Sequence, residues 1–271
     1  MVSTRSAHPG RLTTLFQSAY DAGLVLVEVD ADRRFIGLQP RQILHHARSF
    51  RADVASVWLP VRSRFGGPLS ERDRQVLIDS AVDAAAPLVV RLPRNEIGRL
   101  TRTTVTNLTD SLQQIVPPTT RVTVAVPTAW LVGGRPHLVQ LTALRRICEE
   151  WDIDIALDLT GPIDPQWEAE AAVLRIGSRL RIVRIAALPV TANSTDSQAR
   201  LTDRALIPAL ESGSLASVSL SPPIRPLLSA RESVLVKTIT ALADAVVARS
   251  RRVISPTLFD EYSEQRAKRE V

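Results

Sequence analysis

The sequence holds a single cysteine in 271 residues, Cys148, so no disulfide can close within the chain. It holds two lysines, Lys237 and Lys268, against a combined Lys and Arg count of 34, so nearly all its positive charge is arginine. The opening MVSTRSAHPGRL lacks the apolar stretch of a secretory signal. No apolar run approaches the ~18 residues that span a bilayer. From these absences we expect a soluble, cytoplasmic protein with no membrane partner. Histidine is scarce, and His8, His45, His46 and His137 show no metal-ligand spacing. There is no GxGxxG, no P-loop, no short repeat, no Ser-His-Asp order and no nucleophile elbow. Nucleotide-binding open sheets and serine-hydrolase chemistry are thereby disfavoured.

The chain is 45% hydrophobic, enough for an ordinary core, and carries a formal net charge of +6 with a pI near 10.5. The arginine excess has two readings. One is a compositional bias in the coding sequence. The other is an anionic partner, because guanidinium binds phosphate and carboxylate bidentately. No stretch interleaves aromatic and basic residues, so a nucleic-acid partner is not expected.

The stretch from Arg121 to Pro165 sets the architecture. RVTVAVP is a β-branched apolar run. PHLVQLTALRRICEEW follows, with Leu141, Leu144, Cys148 and Trp151 on one helical face. DIDIALDLTG is a second apolar run that ends near Asp158. Two such strands joined by such a helix form a right-handed parallel βαβ unit. Cys148 lies on the packing face and reads as core.

The same alternation extends in both directions. A weak strand covers 1–5, a helix 12–19 stops before Gly23, and LVLVEV (24–29) ends beside Glu28 and Asp30. Pro40 opens a helix to about Arg48, and VASVWLP (54–60) leads into the basic loop with Arg62 and Arg64. Ser70 starts the next helix, and PLVVRLP (87–93) leaves through Arg94. A threonine-rich helix is expected over 105–115. Downstream we expect helices at 166–176, 203–211 and 229–249, strands at 179–188 and 215–220, and a polar loop over 189–198. Eight strands alternating with eight helices predict a single-domain (β/α)8 TIM barrel over residues 1–249. Residues 250–271 form a charged C-terminal tail, in which Leu258, Phe259 and Tyr262 are positioned to dock on the body.

Several segments resemble the xylose isomerase-like TIM barrels, the superfamily of sugar isomerases, sugar epimerases and endonuclease IV. AYDAGLVLVEVDA is similar to the family's first helix, glycine and "G-x-x-x-VE" strand. WDIDIALDLTG is similar to its "hhLDTGH" strand, and SGSLASVSLSPP to its last "GY-x-G-x-hSxE" strand. The resemblance spans about residues 2–248. It implies a ligand site at the carboxyl ends of the strands and, in active members, a divalent metal held by carboxylates and histidines of strands five to eight. Matched letter by letter, the strand-five glutamate falls at Pro127, the strand-six aspartate at Asp158 and the histidine after it at Gly161. The strand-seven histidine falls at Arg184 and the strand-eight glutamate at Ser221. Only Asp158 and the strand-two Glu28 are retained, so neither a metal nor another cofactor is expected.

The resemblance and the residues together give a candidate site. Arg184 takes the electrostatic place of the metal and binds an anionic group, while Asp158 or Glu28 moves a proton. Equally, Arg184 and Asp158 form a structural ion pair. Arg62, Arg91 and Arg94 leave strands three and four at the same face and add positive charge, although Arg91 alternates with apolar neighbours and could face outward. His8 stands at the mouth, and Trp58 and Trp130 are candidates to stack on a sugar ring. The expected function is a metal-independent isomerase or epimerase acting on an anionic sugar-like molecule. The alternatives are a non-catalytic ligand- or protein-binding barrel and, third, a nucleic-acid binder. Association into a homo-oligomer is left open.

Overall fold

A computed structural model of the chain describes residues 1–3, 12–30, 40–59, 71–92, 116–189, 196–222 and 232–253. The strands are β1 (Val2–Ser3), β2 (Leu26–Asp30), β3 (Asp53–Leu59), β4 (Leu88–Arg91), β5 (Val122–Val126), β6 (Asp154–Leu159), β7 (Leu180–Ile185) and β8 (Ser217–Leu220). All neighbours pair in parallel, and β8 returns to β1 through Val2 opposite Leu220, so the sheet closes as an eight-stranded barrel. Among the described residues seven α-helices surround it. They are α1 (Leu12–Asp21), α2 (Pro40–Ser49), α3 (Glu71–Asp83), α4 (Arg135–Glu150), α5 (Ala169–Ile176), α6 (Ser197–Glu211) and α7 (Glu232–Val253). The chain has the (β/α)8 TIM-barrel fold. The helix expected over 105–115 lies outside the described residues.

The strands alternate, and the alternation separates two cores. Val27 and Val29 of β2, Val57 and Leu59 of β3, and their equivalents around the ring pack with helix residues such as Leu15, Phe16, Leu77 and Leu144. The intervening positions face the barrel axis. There Trp58, Val89, Ala125, Ala156 and Ile182 form a separate small apolar layer. Strand register links them around the ring, Trp58 beside Val89 and Ala125 beside Ala156, itself beside Ile182. The barrel is filled by side chains rather than open.

Three helix boundaries differ from expectation. The segment around Ser197 and Gln198 is helical, not loop: α6 begins six residues before Asp203 because Asp196 caps it, accepting from the Ala199 amide at 3.1 Å. The helix expected from Gln166 starts at Ala169, because the Asp164 carboxylate takes the Gln166 amide at 2.8 Å and holds a turn there. The last helix runs to Val253, past the expected end at 249. Gly23 has φ +72°, the left-handed conformation its place after α1 requires.

Candidate functional site

Above the apolar layer, toward the carboxyl ends of the strands, the axis-facing residues turn polar. In β2, Glu28 and Asp30 alternate with Val27 and Val29 and so share the inner face. Asp158 of β6 pairs in register with Arg184 of β7. Arg91 ends β4 on the same side.

Arg184 is the centre of this layer and is fully buried. Its Nη2 donates to Glu28 Oε1. Its Nη1 lies 2.9 Å from Asp30 Oδ2 and 3.5 Å from Asp158 Oδ2. The guanidinium sits over the face of Trp58, with Cζ 3.3 Å from the ring centroid. Arg91 pairs with Asp30 and lies 5.2 Å from the same ring. The Trp58 indole donates to Ser56 Oγ at 3.2 Å. Three carboxylates from two distant parts of the sequence thus converge on one cation. Burial alone would push the pKa of Arg184 down, but the charges of Glu28, Asp30 and Asp158 outweigh it and hold the group above the ordinary arginine value.

The members differ in access. The side chains of Glu28, Asp30 and Arg184 are closed off, whereas Asp158 is 10% exposed and Arg91 12% exposed. Asp158 Oδ1 also accepts the Thr160 hydroxyl at 2.6 Å and the Thr160 amide at 3.2 Å, which fixes the carboxylate at the end of β6. Glu28 Oε2 and Arg184 Nε are buried with no hydrogen-bond partner among the described residues.

Five of the expected site residues therefore meet at one place: Glu28, Asp158, Arg184, Arg91 and Trp58. Arg91 faces inward, not outward under a helix. Two aromatic assignments change. Trp58 meets a guanidinium rather than a sugar, because Arg184 covers its face. Trp130 sits in a 3-10 turn (Thr128–Trp130) at the exit of β5 and is buried in the outer core with Leu131, so its ring is closed off from a ligand. His8, Arg62 and Arg94 lie outside the described residues. Asp30 was not singled out as a site residue. Its signal was the LVEVD alternation, which puts it on the same face as Glu28.

A divalent metal of the kind the resemblance implies does not fit these residues. At the four strand ends that would hold it stand Pro127, Asp158, Arg184 and Ser221, and the guanidinium occupies the point where the carboxylates converge. Among the described residues no group of three His, Cys, Asp or Glu side chains could hold a metal ion.

Comparison with solved structures finds the same barrel elsewhere. A xylose isomerase-like TIM barrel/4-hydroxyphenylpyruvate dioxygenase fusion protein matches with TM-score 0.57 and 15% identity over 94% of this chain. The two share the (β/α)8 barrel fold. The chain spans 45% of that fusion protein's length. A 3-keto-D-glucoside 4-epimerase from E. coli matches with TM-score 0.55 and 12% identity, over 90% of this chain and 98% of its own. A xylose isomerase domain protein from Alicyclobacillus acidocaldarius matches with TM-score 0.55 and 14% identity, over 92% of this chain and 98% of its own. At these identities the likeness concerns the barrel fold alone, and the chemistry has to come from the site. No protein-family model matches the sequence. No curated protein matches it either.

Proposed function

We propose that this xylose isomerase-like barrel binds a small, uncharged, sugar-like molecule at its carboxyl mouth without a metal ion. In this reading the buried ion cluster shapes the mouth. The observation that carries the proposal is the guanidinium of Arg184 seated among Glu28, Asp30 and Asp158. Both terminal nitrogens of Arg184 are engaged, so an anionic ligand would compete with carboxylates already in place. Glu28, Asp30 and Asp158 at least balance Arg184, Arg91 and the buried Met1 amine near Glu28, so the cluster has no surplus positive charge to draw in an anion. A polyol needs hydrogen-bonding groups at the rim, and Asp158, Thr160 and Arg91 supply them.

Turnover is a second reading, favoured by the exposure of Asp158. A metal-independent isomerase or epimerase would use Asp158 to take a proton from the carbon beside a carbonyl and return it at the other face or the neighbouring carbon. The oxygen that gains charge would face Arg91, the guanidinium of the cluster that a ligand can reach.

A thermal-shift panel of neutral sugars, sugar acids and sugar phosphates tests both readings. The expected result is stabilisation by a neutral sugar, unchanged by EDTA and reduced in Asp158→Asn. Stabilisation that requires Mn2+ or Mg2+, or stoichiometric metal in the purified protein, overturns the metal-independent reading. Deuterium uptake from D2O at a ligand carbon, lost in Asp158→Asn, decides for turnover; no uptake leaves a binding barrel.

A further inference from the structure

Between α6 and α7 runs a groove of about 1320 Å³, which reaches Ala186–Pro189 and Pro222 at the exits of β7 and β8. Leu188 and Leu242 form part of its floor, and Ala241, Ala245 and Ala248 line the α7 side opposite Ile207. The alanines recur at spacings of four and three, so they share one face of α7 and leave room beside it. Ile207 is 36% exposed there. Arg249 fixes the lip: it pairs with Asp203 of α6 and donates to Ala245 O at 2.9 Å and Pro189 O at 3.1 Å. The lining also includes Val253, the last residue of α7.

We propose that residues 254–271 turn back at Ser255-Pro256 and occupy this groove, with Leu258 and Phe259 against the alanine stripe and Ile207. Four observations support this occupant. The segment is attached at the groove itself, through Val253. Ser-Pro favours a turn, and the residue before a proline is driven out of the helical region, so the chain leaves the line of α7 there. Reach is sufficient: Ala245 lies eight residues back from Val253, about 12 Å along the helix, while the six residues to Phe259 span up to roughly 20 Å. The chemistry also matches. Leu258, Phe259 and Tyr262 supply apolar surface, and Asp260, Glu261 and Glu264 beside them face a wall with a one-charge positive surplus, Arg200, Arg204, Lys237 and Arg249 against Asp203, Glu211 and Asp244. Tethering places these side chains at an effective concentration near the millimolar range, so a modest apolar contact is enough to seat them.

Disulfide trapping in the full chain tests the placement. Ala245→Cys with Phe259→Cys is compared with Val247→Cys and Phe259→Cys. Val247 is a similar distance from Val253 but is 47% exposed and does not line the groove. Buried Cys148 is left in place. The first pair should form an intramolecular disulfide at least tenfold faster under mild oxidation. Equal rates, or disulfides only between two copies, overturn the proposal. Hydrogen exchange on the chain with native cysteine content provides a second readout. Leu258→Asp combined with Phe259→Asp should speed exchange at least threefold in 203–207 and 241–248, and unchanged exchange there is also contrary to it.

Discussion

At Arg184 a single side chain touches three carboxylates drawn from β2 and β6. Removing one partner of a buried ion network leaves charge without compensation, a loss of about 3–5 kcal/mol. Arg184→Gln should lose stability on this scale in urea denaturation. Arg184→Lys should lose less, because the charge stays while the fork that reaches several carboxylates does not. Equal stability of Arg184→Gln and the parent chain would remove the cluster's structural role. His137 gives the clearest pH dependence. Burial lowers its pKa, with Glu168 opposing, and its Nε2 accepts the Trp167 indole at 3.1 Å, so the folded state keeps it neutral. The unfolded chain binds a proton near pH 6.5 where the folded chain does not. The resulting stability is complete above that pH and is lost as pH falls through 6.5 toward the folded value, by at most about 1.4 kcal/mol per unit. Comparing the parent with His137→Gln between pH 7.5 and 5.5 should show the steeper loss in the parent.

At the scale of elements, the strands were legible because parallel strands under helices read as apolar runs, and the period of two in LVEVD and LRIVRI assigned their faces. Helix starts were less legible. Asp196 as a cap sits in a run of Thr, Asn and Ser that resembles loop, and only its bond to the Ala199 amide distinguishes it. That Glu28 could meet Arg91 or another strand-end arginine was legible; that the partner is Arg184, and that Asp30 joins it, was not, since strand tilt across a closed barrel, not sequence spacing, decides which inward residues meet. The exit of β6 shows how tightly such loops are set. A Cβ on Gly161 would lie 2.2 Å from Thr128 Oγ1, and Gln198 donates to the Gly161 carbonyl. Gly161→Ala should therefore cost about 1–3 kcal/mol in thermal or urea unfolding, with Thr128→Ala in the same chain restoring part of it. No recovery in the double variant would place the strain elsewhere.

At the scale of the molecule, the reactivity of Cys148 reports on global opening. The thiol is buried on α4, and burial raises its pKa to about 12. A disulfide reagent at pH 8 should label the native protein at least roughly 10³-fold more slowly than the urea-unfolded chain. Fast native labelling would mean that α4 opens locally. No helix among the described residues is long and apolar enough to cross a membrane.

The bond between Arg184 and Glu28 joins residues 156 positions apart. Synthesis proceeds from the N-terminus, so β2 leaves the ribosome well before β7 exists. Until then Glu28 lacks the counterion that makes its interior position tolerable, and the first strands have reason to stay hydrated and unassembled. A nascent chain arrested before residue 184 should accordingly be protease-sensitive, and one extended past β8 resistant.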